Sequence, residues 1–384
     1  MKILLLHDVK PEKQNGVSIS LAILLRELEK TGHDVRVLTL SDDAKSCKEG
    51  NVYALASMPA FIYPGIRLRT KKHSKYVREL VKWGPDVIHT NCEFSTFEIA
   101  KYIYKKCEKK PVWIHTLHTD YRYYVGPFVK NRFVTEKFIP WYLNRCFLRS
   151  DALIVPTSKT YDYVKTGKFS DKINTVIIPT GIDFSELGAE RRSEIPQTRK
   201  ELGIPGDAKV VIFLGRVSSE KNLDELAEFF AEYVKTHDNT YFLSVGDGPS
   251  KETLKKKIKK LGIENKAVIH DGVPHSEIRK YYDAADVFAS ASMSETQGLT
   301  FYEALYCNLP VIAKDRRCLE DAITEGQNGA FFDDEESFIR ALDSVIDVKN
   351  GKENSKQLPE CFESEKFASS VLKLYEEELK KKNG

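Results

Sequence analysis

The chain reads as an α/β protein with two doubly wound, Rossmann-like domains and a cleft between them. Three observations predict this. Its 384 residues suffice for two or three domains at roughly 150 residues each. Short β-rich runs alternate with amphipathic stretches, the pattern of parallel sheets covered by helices on both faces. The alternation halts near Asp183 and restarts near Val210, so it comes in two blocks.

In the first block the expected strands are Lys2–His7, Asp34–Thr39, Val52–Ala56, Asp86–Thr90, Pro111–Thr116, Ala152–Pro156 and Thr175–Pro179. Between the first two, Leu21, Leu24, Leu25 and Leu28 recur at helical spacing over Ser18–Thr31, and Gly32 reads as the stop. Residues 184–208 are polar and rich in charge, Gly and Pro, and read as a linker and domain entry. The second block offers strands at Val210–Leu214, Tyr241–Val245, Ala267–His270, Val287–Ala291, Val311–Ala313 and Ala330–Phe332. Helical patterns fill Leu223–Val234, Glu252–Lys260 and Ser276–Ala284, and an amphipathic helix with a basic end closes the chain over Phe367–Lys380. The expected domains are therefore 1–182 and 183–364.

Composition narrows the function classes. Apolar residues make up 41% and charged residues 30% of the chain, which excludes a disordered or fibrous protein. No apolar run approaches the ~20 residues that span a bilayer. The first residues read as a strand and not as a signal peptide. Seven cysteines, odd in number and without a CxxC pair, read as reduced cytosolic thiols. The net charge of +3 conceals an asymmetry: residues 1–182 carry 30 Lys/Arg against 18 Asp/Glu, and the remainder carry 29 against 38. The basic half suits an anionic membrane, a nucleic acid or a phosphorylated ligand; ordinary solvated surface is the plain alternative.

Ligands of open α/β sheets sit at the carboxyl ends of strands, so the chemistry is sought in loops that follow strands. The first loop ends in Asn15-Gly16-Val17, where a glycine before a helix lets backbone N–H groups approach an anion. It is not GxGxxG, which argues against a nicotinamide enzyme. The second holds His115 and His118. His115 lies inside its strand and reads as a satisfied core histidine. His118 falls at the strand end, where a neutral imidazole can donate to a sugar hydroxyl. The third carries Arg216 and Lys221, two cations able to converge on a diphosphate, or simply two surface charges. The fourth is the most informative: Glu295 and Glu303 flank Gln297, Gly298 and Leu299. Glu295 precedes a helix and Glu303 lies about one turn inside it, with the backbone N–H groups of 297–300 aimed at a bound anion.

Together these loops resemble the family-4 glycosyltransferases of the GT-B fold over essentially the whole chain. The matching pieces are Asn15-Gly16-Val17, His115 to His118, Pro179-Thr-Gly-Ile-Asp183, Gly215-Arg216 with Glu220-Lys221-Asn222, Gly246-Asp-Gly-Pro249, and Glu295 to Glu303. Thr180 stands where many relatives have Asn. The resemblance implies transfer of a sugar from a nucleotide sugar with retention of anomeric configuration. It implies that Arg216 and Lys221 bind the diphosphate, Glu303 the ribose, Glu295 and His118 the donor sugar, Gly16 the phosphates, and the backbone at Val273 the base. It further implies no metal and no cofactor, the nucleotide sugar being a substrate, and a C-terminal helix, about 365–384, that returns to the first domain.

A finer likeness, through Glu93-Phe-Ser95, the His-Thr-x-His-Thr-x-Tyr run and Ser294 to Thr300, is to bacterial glucosyltransferases acting on diacylglycerol. Residues 121–149 hold nine aromatic and six basic residues against one acid, a composition that suits an anionic membrane interface. Tyr121, Tyr124, Phe128, Lys130, Arg132 and Trp141 are the expected acceptor- and membrane-facing residues. A second basic-apolar stretch runs from Phe61 to Lys72. The expectation is a cytoplasmic enzyme, peripheral on the inner membrane face, moving glucose from UDP-glucose to a glycerolipid. The alternatives are the same chemistry on a polysaccharide, lipid-linked or soluble acceptor, and a non-catalytic nucleotide or nucleic-acid binder. No nucleic-acid motif is present, and nothing in the chain specifies an oligomeric state.

Overall fold

The computed structural model describes residues 1–8, 16–43, 45–59, 67–69, 71–125, 131–167, 169, 171–348 and 358–384. They form two compact units, Met1–Ile182 with Cys361–Gly384, and Asp183–Glu360.

In the first unit the strands are β1 (Lys2–His7), β2 (Asp34–Ser41), β3 (Cys47–Glu49), β4 (Val52–Ala56), β5 (Met58–Pro59), β6 (Arg67–Leu68), β7 (Val87–Thr90), β8 (Val112–Thr116), β9 (Ala152–Val155) and β10 (Thr175–Ile177). Eight of them form one sheet in the order β10-β9-β8-β7-β1-β2-β4-β3, parallel throughout except for the edge strand β3. The pair β5 and β6 is a separate antiparallel hairpin. The β1 run Ile3–Leu6 is fully buried, as expected of a central strand covered on both faces. The chain steps from β1 to β2 on one side and later to β7 on the other, so the crevice at their carboxyl ends is the topological switch point.

The last helix, Ser364–Asn383, belongs to this unit. Phe367, Val371, Leu374 and Tyr375 enter a core shared with Ile3, Leu5, Leu24 and Ile114. Burying each such side chain contributes about 1.5–3 kcal/mol. Polar ties fix the register: the Tyr375 hydroxyl meets His89 Nδ1 at 2.5 Å, and Lys382 Nζ reaches Asp151 at 2.7 Å. Gly181 is obligatory beneath this helix, because a Cβ there would stand 2.8 Å from the Phe367 Cβ.

The second unit carries β11 (Lys209–Leu214), β12 (Thr240–Val245), β13 (Ala267–His270), β14 (Val287–Ser290), β15 (Val311–Ala313) and β16 (Gly329–Phe331). They form an all-parallel sheet in the order β13-β12-β11-β14-β15-β16. Its switch point lies between β11 and β14.

Residues 184–208 are not a linker but part of this second unit. They form the helices Phe184–Leu187 and Ile195–Glu201 with a 3₁₀ turn between. Arg199 holds the second helix down: its guanidinium bonds the carbonyls of Ala284, Gly206 and Ala208 and the Asp286 carboxylate, all within 3.0 Å. Buried Leu187 and Ile204 and the stacking of Phe184 on Tyr306 add apolar anchors too sparse to show as a periodic pattern. Among the described residues, no helix is long and apolar enough to cross a membrane.

Candidate active site

In the second unit, the loops after β11 and β12 interlock through their backbones. Gly215 and Gly246 have φ of 146° and 151°. A Cβ on Gly246 would lie 1.9 Å from the Gly215 carbonyl oxygen, and one on Gly248 would lie 2.1 Å from that of Val217. Only glycine allows this approach. Val217 N–H bonds the Asp247 carbonyl at 3.0 Å and Ser250 N–H bonds the Val217 carbonyl at 3.0 Å. Arg216, half-buried between these bonds, is therefore held by a rigid frame.

Lys221 ends a 3₁₀ turn in the same loop, and Asn222 follows with φ of 52°, opening the helix Leu223–Tyr233. Its ammonium lies 2.5 Å from Glu295 Oε1, across to the loop after β14, and both side chains are largely shielded. The two loops are also tied by the Ser294 hydroxyl, which donates to the Glu220 carbonyl at 3.2 Å. The Cys318 thiol donates to the Glu295 carbonyl at 3.2 Å. Gln297 is buried. Gly298, at φ 76°, is the cap of the helix Leu299–Tyr306, which lacks a side-chain cap. Phe301 N–H returns to the Gly298 carbonyl at 3.0 Å, which leaves the N–H groups of Leu299 and Thr300 for an acceptor from elsewhere.

Glu303 lies in the fifth position of that helix and is 3% exposed. Its Oε1 is 3.1 Å from His275 Nε2, and its Oε2 accepts from the Tyr282 hydroxyl at 3.1 Å. The bond from Glu303 is the main cause that raises the His275 pKa. Val273 is half-buried just before His275. Its segment is fixed where Gly272 N–H donates to Asp247 Oδ2 at 2.9 Å.

In the first unit, the matching edge holds buried polar groups. His118 Nε2 donates to Asn91 Oδ1 at 3.1 Å, which sets the tautomer. The residue is half-buried, and burial pushes its pKa well below the ordinary value. His7 contacts Cys92 Sγ at 3.1 Å and the Ser18 hydroxyl at 3.2 Å, and burial lowers it to about 4. Asp8 accepts from Thr96 N–H at 2.8 Å, at the start of the helix Ser95–Lys106, and burial raises its carboxyl to about 6. His115 is fully buried, with Nδ1 2.8 Å from the Thr90 hydroxyl and Nε2 3.3 Å from Glu93 Oε1. It is the core histidine its place in the strand predicts.

Family models match in two pieces. The model for glycosyl transferases group 1 matches residues 194–359, and that for glycosyltransferase family 4 matches residues 14–186. An alpha-monoglucosyldiacylglycerol synthase of Streptococcus pneumoniae is 32% identical, over 98% of this chain and 85% of that protein. The Acholeplasma laidlawii synthase of the same name is 30% identical over 96% of this chain and 95% of its own. The chain is a family-4 glycosyltransferase of the GT-B fold. Solved structures agree on the fold. Sucrose-phosphate synthase from Thermosynechococcus elongatus superimposes with a TM-score of 0.77 at 19% identity, over 98% of both chains. Anabaena HepE, solved in complex with UDP and glucose, superimposes with 0.73 at 18%, over 98% of this chain and 100% of its own. The protein is thus a hexosyltransferase.

Within this glycosyltransferase, the expected second-unit residues Arg216, Lys221, Glu295, Gln297, Gly298, Leu299 and Glu303 gather on the loops after β11 and β14 and the helix that follows. Gly16 opens the helix Gly16–Lys30. Phe128 and Lys130 lie outside the described residues, as does the Tyr124 side chain, and so does much of the Phe61–Lys72 stretch. Tyr121 needs correction as a surface residue: it is buried, and its hydroxyl donates to Glu93 Oε2. A phenol can be buried where a carboxylate accepts its proton, and Glu93 supplies that partner. Arg132 and Trp141 do face outward. They share a helical stretch, a π-turn Val134–Phe138 running into Ile139–Phe147, whose Phe133, Phe138 and Trp141 are 64%, 49% and 53% exposed. The reading from sequence missed His275, Tyr282 and Asn91. His275 stands two residues after Val273, but a His in a turn carries no signal until its carboxylate partners are known.

Proposed function

We propose that this glycosyltransferase moves a hexose, glucose from UDP-glucose, to the hydroxyl of a glycerolipid such as diacylglycerol or glycosyl-diacylglycerol, with retention of configuration, while resting on an anionic membrane surface. The exposed aromatic face of the first unit carries the membrane part of this reading. Three large aromatic side chains standing in water beside Arg132 and Arg145 are costly in a monomer and favourable in a headgroup layer. The two full-length relatives named as glucosyldiacylglycerol synthases support the acceptor class. The placement is cytoplasmic and peripheral, on the inner leaflet, whose anionic lipids match the basic first unit.

In this mechanism the bond between the sugar C1 and the diphosphate oxygen breaks as the acceptor oxygen joins C1 on the same face. The acceptor proton passes to the leaving phosphate oxygen. Arg216 and Lys221 neutralise the charge that develops on that diphosphate. Lys221 exchanges its Glu295 partner for phosphate, leaving Glu295 to accept from donor-sugar hydroxyls. Glu303 accepts from the ribose. Neutral His118, its one N–H given to Asn91, accepts from a sugar hydroxyl through Nδ1 without adding charge. Cation assistance comes from side chains and open N–H groups, so no metal or cofactor is needed.

A donor-by-acceptor screen tests the reading: UDP-glucose, UDP-galactose and a GDP-sugar against diacylglycerol, a monoglycosyl lipid and water, in excess EDTA, with the product anomer read by NMR. The expected product is an α-glucolipid, formed at full rate without metal. A metal requirement, an inverted product or indifference to lipid acceptors contradicts it. In parallel, replacing Phe133, Phe138 and Trp141 with Ser should lower co-sedimentation with anionic vesicles by at least about tenfold while leaving UDP binding intact.

A further inference from the structure

We propose that His275 is a positioning residue for the nucleoside end of the donor, fixing the Glu303 carboxylate so that its remaining lone pairs meet the two vicinal ribose hydroxyls. The assignment rests on the nucleotide-sugar reading above. It begins from the geometry of a buried carboxylate. A carboxylate offers about four acceptor directions. His275 Nε2 takes one at Oε1 and Tyr282 takes one at Oε2, both at 3.1 Å. One direction at each oxygen is left, as many as a ribose has vicinal hydroxyls.

The imidazole lies between two acids. Its Nδ1 is 3.2 Å from Glu186 Oε2, on the helix Phe184–Leu187, and its Nε2 faces Glu303 on the helix Leu299–Tyr306. Tyr282 approaches the same carboxylate from the helix Ile278–Ala284. On the imidazole's own turn, His275–Glu277, Glu277 is engaged with Arg191 and Lys280. Two carboxylates flanking one ring favour its doubly protonated form, and the pKa is raised accordingly. A charged imidazole 3.1 Å from Oε1 makes that hydrogen bond charge-assisted and fixes the direction in which the carboxylate points. The same ring joins the segment Gly272–Pro274, expected beside the base, to the helix expected beside the ribose. Base and ribose contacts are thereby set by one clamp.

Calorimetric titration of the full chain with UDP and with 2′,3′-dideoxy-UDP tests this. Wild type is expected to prefer UDP by about tenfold. His275→Ala should weaken UDP by about fivefold or more and the dideoxy nucleotide by less than about twofold. His275→Gln, which still presents an N–H at the Nε2 position, should recover part of the loss. The wild-type preference should also fade as pH rises through the raised pKa of the imidazole, and that slope should vanish in both variants. Equal losses for the two nucleotides, or no loss, overturn the positioning role. A wild type that binds UDP without preferring it over the dideoxy form removes the ribose role of Glu303 and His275 together. A wild type that binds neither nucleotide overturns the nucleotide-sugar reading itself.

Discussion

The carboxyl edges of the two sheets use polar residues in opposite ways. At the ends of β1, β7 and β8, three ionisable groups are desolvated towards neutrality: His7 falls to about 4, His89 to about 3, and Asp8 rises to about 6, each mainly through burial. In the loops and helices after β11, β13 and β14, acids and bases are paired with one another, Lys221 with Glu295 and His275 with Glu303. One topology thus offers a neutral surface of hydrogen-bond donors and acceptors and, separately, an ionic one. The first suits sugar and alcohol hydroxyls; the second suits a diphosphate and the groups attached to it. Fold alone does not make this distinction, because the strand orders at the two switch points are alike.

The largest test of the contrast is Lys221→Ala. If the second edge works by charge, turnover should drop by at least about tenfold and up to about a hundredfold, with a smaller change in acceptor KM. An unchanged kcat breaks the ionic reading. Gly246→Ala comes next. Its Cβ would collide with the Gly215 carbonyl, so the frame holding Arg216 must shift. The expected cost is about 2–4 kcal/mol in the denaturant midpoint, together with weaker UDP binding. A fully stable, tight-binding variant would show that the interlocked loops are dispensable.

Asp8→Asn sharpens the other side with the smallest effect. A buried carboxyl raised to about 6 holds its proton more tightly folded than unfolded. Its contribution to stability is therefore retained near pH 4 and declines as pH rises to 6 and beyond. A shift of about two pKa units corresponds to about 3 kcal/mol at pH 8. Asparagine can still accept from Thr96 N–H, so the variant should be about 1–3 kcal/mol more stable than wild type at pH 8 and show a flatter pH profile between 5 and 8. Identical urea profiles for the two proteins would refute the neutral-edge description.

The fold was legible wherever apolar runs marked buried parallel strands. β1 and β15 fall at the expected bounds, and β8, β10 and β16 differ by a residue or two. β3 was not legible: Cys-Lys-Glu is a short polar edge strand with no alternation to read. The helix Ile195–Glu201 was hidden because Arg199 takes its partners from residues up to 87 positions away. The same limit governs the site. Glu295, Gly298 and Glu303 share one local pattern and could be read together. Their fixing partners, Lys221, Cys318, His275 and Tyr282, come from other loops, and only the folded chain brings them within reach. Tyr121 was misassigned for a related reason: its aromatic-basic neighbours imply surface, while its actual partner, Glu93, lies 28 positions upstream.

The closing helix has a consequence for biogenesis. Residues 183–360 are inserted, in chain order, between the bulk of the first unit and the segment that completes it. A ribosome therefore delivers most of one lobe early, but Phe367, Val371 and Tyr375 only after the whole of the other lobe. During that interval the surface of Ile3, Leu5 and Ile114 that they cover stands open to chaperones.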